Sequence, residues 1–151
     1  MLAASCVPRS TTAFCSMANP KRVQALLALA DEDLGAARIL IGFSMRTARY
    51  HVQQSAEKLV KALLEHRGIN PGREHRFELL AEMLPEGDPW RSRIQSLDEL
   101  SPAATTHRYP TSEGRILPPP SRELVEREIA MVAQLVLDIK AAVDPSTARR
   151  S

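Results

Sequence analysis

Cysteine is nearly missing from this chain: Cys6 and Cys15 are the only two, and both fall before residue 19. The remainder has neither a disulfide framework nor the thiolates of a structural zinc site. Aromatic residues are also few, with three Phe, two Tyr and one Trp. A core must then be built from Leu, Ile, Val and Ala, which suits closely packed helices. No apolar run approaches the roughly 20 residues that span a bilayer, and the start of the chain lacks the apolar stretch of a secretory signal. A cytoplasmic protein is expected. Neither a Gly-rich phosphate loop nor a His-Glu-x-x-His pair occurs. The four histidines, His51, His66, His75 and His107, lack metal-ligand spacing, so no metal or other cofactor is expected. No charge sign dominates: the formal net charge is +2, which argues against a strong nucleic-acid field. Sixteen arginines against four lysines still leave room for local basic patches.

What is present is helical period. At 151 residues the chain is one domain by expectation, long enough to bury a core unaided. Residues 1–18 show no period and no acidic residue, as in a transit peptide. The preferred reading is a disordered tail or a mis-annotated start, with Met17 as the true initiator. Leu2-Ala3-Ala4-Ser5-Cys6 only faintly suggests a lipoprotein site, since no apolar stretch precedes it. Asn19-Pro20 then reads as an N-cap and first helical position. Val23, Leu27, Ala30, Leu34, Ala37 and Ile41 follow as a heptad-like seam. Gly42-Phe43-Ser44 turns the chain tightly enough to make the next helix an antiparallel neighbour.

That next helix, Ser44 to Arg67, carries two faces. Met45, Val52, Ala56, Leu59 and Leu63, widened by Val60 and Leu64, form the apolar one. His51, Gln54, Lys58 and Lys61 form a polar one, and Glu57 precedes Lys61 by four residues, the favourable order for an ion pair. Such a face can receive an anion, although a solvated face shows the same pattern. Gly68 supplies a left-handed cap and Asn70-Pro71-Gly72 a stop.

Phe77, Leu80 and Leu84 mark a short helix ending at Pro85. Trp90, Ile94, Leu97 and Leu100 mark another behind Asp88-Pro89, ended by Ser101-Pro102. The last helix, from Ser121, has Val125, Ile129, Val132, Val136, Ile139 and Val143 as its seam. Residues 146–151 are expected to be a disordered tail, with the folded domain at 19–145. The stretch from Ser101 to Pro120 breaks the pattern, and loops of that length tend to be functional or disordered. It holds Thr105-Thr106-His107-Arg108-Tyr109-Pro110, and the constraint of Pro110 on Tyr109 predicts an extended backbone with Arg108 and the Tyr109 ring on opposite sides.

Tyr50-His51, followed by Gln53-Gln54-Ser55-Ala56-Glu57-Lys58-Leu59-Val60-Lys61-Ala62-Leu63-Leu64, resembles the signature helix of the HEPN domain family. In that family an aromatic-His pair precedes Gln-Gln-Ala-Ala-Glu-Lys-x-x-Lys-Ala-Leu. Arg73-Glu74-His75 with Leu79-Leu80 is similar to the family's Thr-His-Asp/Ser-Leu element. His107-Arg108-Tyr109-Pro110 is similar to its Thr-Arg-Tyr-Pro loop, and Asp31 to Ala37 to the Asp-Leu-x-x-Ala of its first helix. The resemblance covers about residues 20 to 143.

It implies an all-α, antiparallel up-and-down bundle of four long helices plus one short helix, usually a homodimer. It also implies a role in nucleotide or nucleic-acid transactions, often beside a minimal nucleotidyltransferase in a toxin–antitoxin type of pair. The family's nuclease branches place an Arg four to six residues before a His near the start of the last helix. Here that helix has no histidine; Arg46 and His51 have the spacing, but in the second helix.

The reading is therefore a non-enzymatic binding module for a nucleotide, RNA or nucleotidyltransferase partner. Lys58, Lys61 and Arg108 would meet phosphate, Gln54 and Tyr109 would orient the ligand, and His51 and His75 would add donors. A first alternative is a metal-independent ribonuclease toxin with His51 or His107 as general base and Arg46 or Arg108 stabilising the transition state. A second is a purely structural dimerisation module. The loop is expected to fold back so that Arg108 and Tyr109 face the Lys58 and Lys61 side of the helix.

Overall fold

A computed structural model describes residues 18–144; the expectations about residues 1–17 and 145–151 lie outside that range. The chain is all-α, with no strand among the described residues. Three long helices form the frame: α1 (Pro20–Leu40), α2 (Met45–His66) and α6 (Arg122–Val143). Between α2 and α6 run three short ones, α3 (Phe77–Glu82), α4 (Pro89–Ser96) and α5 (Ser101–Ala104), with a 3-10 turn at Leu97–Leu100.

Local chemistry sets the boundaries. The side chains of Asn19, Ser44, Asp88 and Ser121 each accept a bond from a backbone N–H of the helix they open, at 3.2, 3.3, 2.9 and 3.2 Å. Each thereby satisfies an amide that the first turn leaves without a partner. α2 closes on Gly68 at φ 73. The Gly68 N–H donates to the Glu65 carbonyl at 3.0 Å and the Ile69 N–H to that of Leu64 at 2.9 Å. This is the paired-bond helix stop that a glycine cap permits.

α1 and α2 make the most extensive helix pair, joined by the short turn at Ile41–Ser44, so they run antiparallel, and α6 packs on both. The core contains Val23, Leu27, Ala30, Leu34 and Ala37 from α1, Val52, Ala56, Leu59, Val60 and Leu63 from α2, and Val132, Val136, Ile139 and Val143 from α6. Phe77, Leu80, Leu84, Ile94, Leu97 and Leu100 close one side of it.

Two local expectations change. The helix expected from Pro89 to Leu100 tightens into a 3-10 turn after Ser96, which keeps Leu97 and Leu100 both buried. Pro102 does not end the helical run: it lies in the first turn of α5, where a missing N–H costs nothing. The irregular segment therefore begins at Thr105. It is pinned at two points: the Arg46 guanidinium donates to the Leu117 carbonyl, and Pro120 is buried; just beyond it, Arg122 Nη2 of α6 donates to the Ile41 carbonyl at 3.0 Å.

Candidate functional site

The polar side of α2 is an ordered set of ion pairs. Asp33 of α1 accepts from His51 Nδ1 on one oxygen at 2.8 Å and from Lys58 Nζ on the other at 2.6 Å. An ionised carboxylate only accepts, so Nδ1 carries a proton and Nε2 is the ring nitrogen left for a ligand. One turn further on, Glu57 is only 7% exposed. Its Oε1 meets Lys61 Nζ at 3.0 Å, the pair expected from their spacing, and His75 Nδ1 at 2.7 Å. Its Oε2 accepts from Gln53 Nε2 at 3.3 Å, and Gln53 Oε1 in turn accepts from Gln54 Nε2 at 2.8 Å. The turn that brings His75 to Glu57 is held by Glu74. Bonds from the Arg76 side chain, then from the backbone N–H groups of Arg76 and His75, hold the Glu74 carboxyl down at about 2.

The loop after α5 folds back onto α2. The Thr105 carbonyl accepts from the Arg108 N–H at 3.0 Å, closing a turn. Arg108 then lies with its guanidinium 4.6 Å from the centre of the Tyr50 ring and 5.6 Å from that of Tyr109. The expectation of opposite sides is corrected here. Extended alternation does not apply across a turn, and both rings draw the cation by their negative faces.

Two depressions meet at the Tyr50 and Arg108 pair. The larger, about 360 Å3, is lined by Arg46, His51 and His107 together with Ser44 and Thr47. The smaller, about 190 Å3, is lined by Gln53, Gln54, Glu57 and His75. All four candidates for chemistry, Arg46, His51, His107 and Arg108, thus share one depression. Lys58, Lys61 and Tyr109 line neither; the two lysines are held by Asp33 and Glu57, and Tyr109 is 64% exposed. A depression of about 410 Å3 between α1 and α6, around the Asp31 and Lys140 ion pair, contains none of these residues.

Behind the larger depression lies a pair that the sequence reading missed. Arg49 and Glu128 are 5% and 4% exposed and meet through Nε at 2.8 Å and Nη2 at 2.7 Å, while Arg49 Nη2 also donates to the Glu99 carbonyl at 3.0 Å. Spacing held a signal for it: Arg49 falls between Met45 and Val52 on the apolar stripe, and Glu128 between Val125 and Val132. His107 faces this pair. Its Nδ1 is buried without a hydrogen-bond partner among the described residues. Burial lowers its pKa, with Arg49 and then Arg46 adding to the effect and Glu128 opposing it. Asp33 was also missed, because nothing in α1 alone says which neighbour its carboxylate meets.

Among the described residues, no group of three or more His, Cys, Asp or Glu is gathered as a metal site, and no helix is long and apolar enough to cross a membrane. None of the curated proteins matches the chain. In fold it is similar to the crystal structure of ST0689, an archaeal HEPN homologue, with a TM-score of 0.57 at 21% identity, covering 82% of this chain and 98% of that one. A family model, the HEPN domain, matches residues 23–141. That span runs from the first core residue of α1 into the last turn of α6, and the chain belongs to the HEPN domain family.

Proposed function

We propose that this HEPN chain is a binding module whose larger depression takes the phosphate of a nucleotide or nucleic acid. One observation carries the reading: Arg108 lies on Tyr50 beside Arg46, His51 and His107, so several cationic or N–H donor side chains converge on one concavity. Guanidinium groups suit phosphate because their planar fork donates two parallel bonds. The stack on Tyr50 holds Arg108 in place, which lowers the ordering cost of binding. The expected partner remains a minimal nucleotidyltransferase in a toxin–antitoxin type of pair, with the chain as a homodimer; co-purification and light scattering test both.

Titration of a fluorescent oligoribonucleotide is the direct test. Binding should weaken with salt, and Arg46→Ala and Arg108→Ala should each weaken it, with non-additive losses if they hold one phosphate. Unaltered affinity in both variants would refute the site.

The ribonuclease alternative is favoured by one observation of its own. His51 is oriented by a carboxylate through Nδ1 and shares the depression with Arg46, which is how a general base is commonly held. Cleavage of RNA without metal, lost in His51→Ala, would replace the binding-only reading.

A further inference from the structure

The smaller depression has a hydrogen-bonding sense that can be worked out atom by atom. Glu57 is nearly buried, and Lys61 and His75 both meet its Oε1. Among the described residues its Oε2 accepts only from Gln53 Nε2, at a long 3.3 Å, so that oxygen keeps acceptor capacity. Because a carboxylate can only accept, Gln53 must turn its NH2 toward Glu57, which directs its own Oε1 at Gln54. Gln54 then donates through Nε2 at 2.8 Å, leaving its Oε1 as an acceptor. The chain Glu57, Gln53, Gln54 therefore offers this depression two acceptor oxygens. Arg76 and Arg108 also line it and can donate to a carbonyl oxygen. A flat group that carries N–H donors beside a carbonyl oxygen matches this set.

The smaller depression shares Tyr50 and Arg108 with the larger one. A ligand whose phosphate lies by Arg46 and Arg108 has its remainder within reach of Gln54 and Glu57. We propose that the smaller depression is a nucleobase subsite that prefers guanine, whose N1–H and N2–H donors meet the two acceptors; this rests on the phosphate reading of the neighbouring depression. Adenine and uracil place an acceptor where guanine places a donor, and a buried acceptor facing an acceptor is strongly disfavoured. Hypoxanthine keeps N1–H but lacks the amino group and falls between.

Calorimetric titration of the full chain with GMP, IMP, AMP, ribose 5-phosphate and inorganic phosphate tests this. GMP should bind at least about tenfold more tightly than AMP or ribose 5-phosphate, the size of effect that one charge-assisted hydrogen bond supports, with IMP between. Glu57→Gln should erase the difference between GMP and AMP. Because Glu57 is buried against Lys61 and His75, Thr105→Trp provides a second variant: it fills the depression from its exposed rim and leaves the Glu57 carboxylate in place. It should bring GMP to the affinity of ribose 5-phosphate. Equal affinities for GMP, AMP and ribose 5-phosphate, all reduced by Arg108→Ala, would overturn the base subsite and leave the phosphate site standing. Failure of every ligand, inorganic phosphate included, to bind at millimolar concentration would overturn both.

Discussion

Arg49 and Glu128 face each other across α2 and α6 as a buried ion pair joined by three hydrogen bonds, and Arg49 also ties the 3-10 turn through the Glu99 carbonyl. Removing one partner leaves a charge with neither water nor a counter-ion. Glu128→Ala or Arg49→Ala should each cost about 3–5 kcal/mol in urea unfolding. The paired change Arg49→Met with Glu128→Leu should cost much less than the sum of the two, since no charge is then stranded. A double variant as unstable as that sum would show that packing around the guanidinium, not charge, is what matters.

Leu59 and Lys58 are neighbours in sequence on opposite faces of α2. Leu59 is fully buried in the core, so Leu59→Ala should cost about 2–5 kcal/mol. Lys58 is a quarter exposed and paired with Asp33, so Lys58→Ala should cost only about 0.5–1 kcal/mol. Thermal melts of the two variants give the comparison directly, and a reversed order would mean that the faces are misassigned.

His107 makes stability depend on acidity. Its pKa is lowered in the fold by burial and by Arg49 and Arg46 from the ordinary value of 6.5. Below pH 6.5 the unfolded chain binds a proton that the folded chain refuses. This contribution is therefore complete above pH 6.5 and is lost as pH falls through the lowered folded value. His107→Asn should flatten the acid limb relative to the parent protein, as read from unfolding midpoints between about pH 4 and 8. Parallel acid limbs would contradict the assignment.

Arg108 is expected to act through its shape as well as its charge. Arg108→Lys keeps the cation but loses the planar fork that lies over the Tyr50 ring. Oligoribonucleotide affinity should fall by about the same factor as in Arg108→Ala, to within about threefold, corresponding to a residual of less than 1 kcal/mol. Full retention in the lysine variant would reduce the site to a point charge.

Where the capped helices begin, and where α2 ends, was legible in the sequence because caps act within a few residues. Asn19, Ser44, Asp88 and Ser121 each bond an amide two or three positions ahead, and Gly68 stops α2 by its own backbone freedom. The buried faces were legible for the same reason, since periodicity is a local property. The partners of the charged residues were not. Asp33 could have met any cation in the chain. Only the packing of α1 on α2 gives it both His51 and Lys58, and only the packing of α2 on α6 joins Arg49 to Glu128. Likewise the turn at Thr105–Arg108, not the alternation expected before Pro110, set Arg108 over Tyr50. Periodicity and capping determined an all-α chain with a polar side on α2. Tertiary structure decided which of those polar groups are neutralised and which remain open to a ligand, because ion pairing depends on distance in space and a helix sequence specifies only distance along itself.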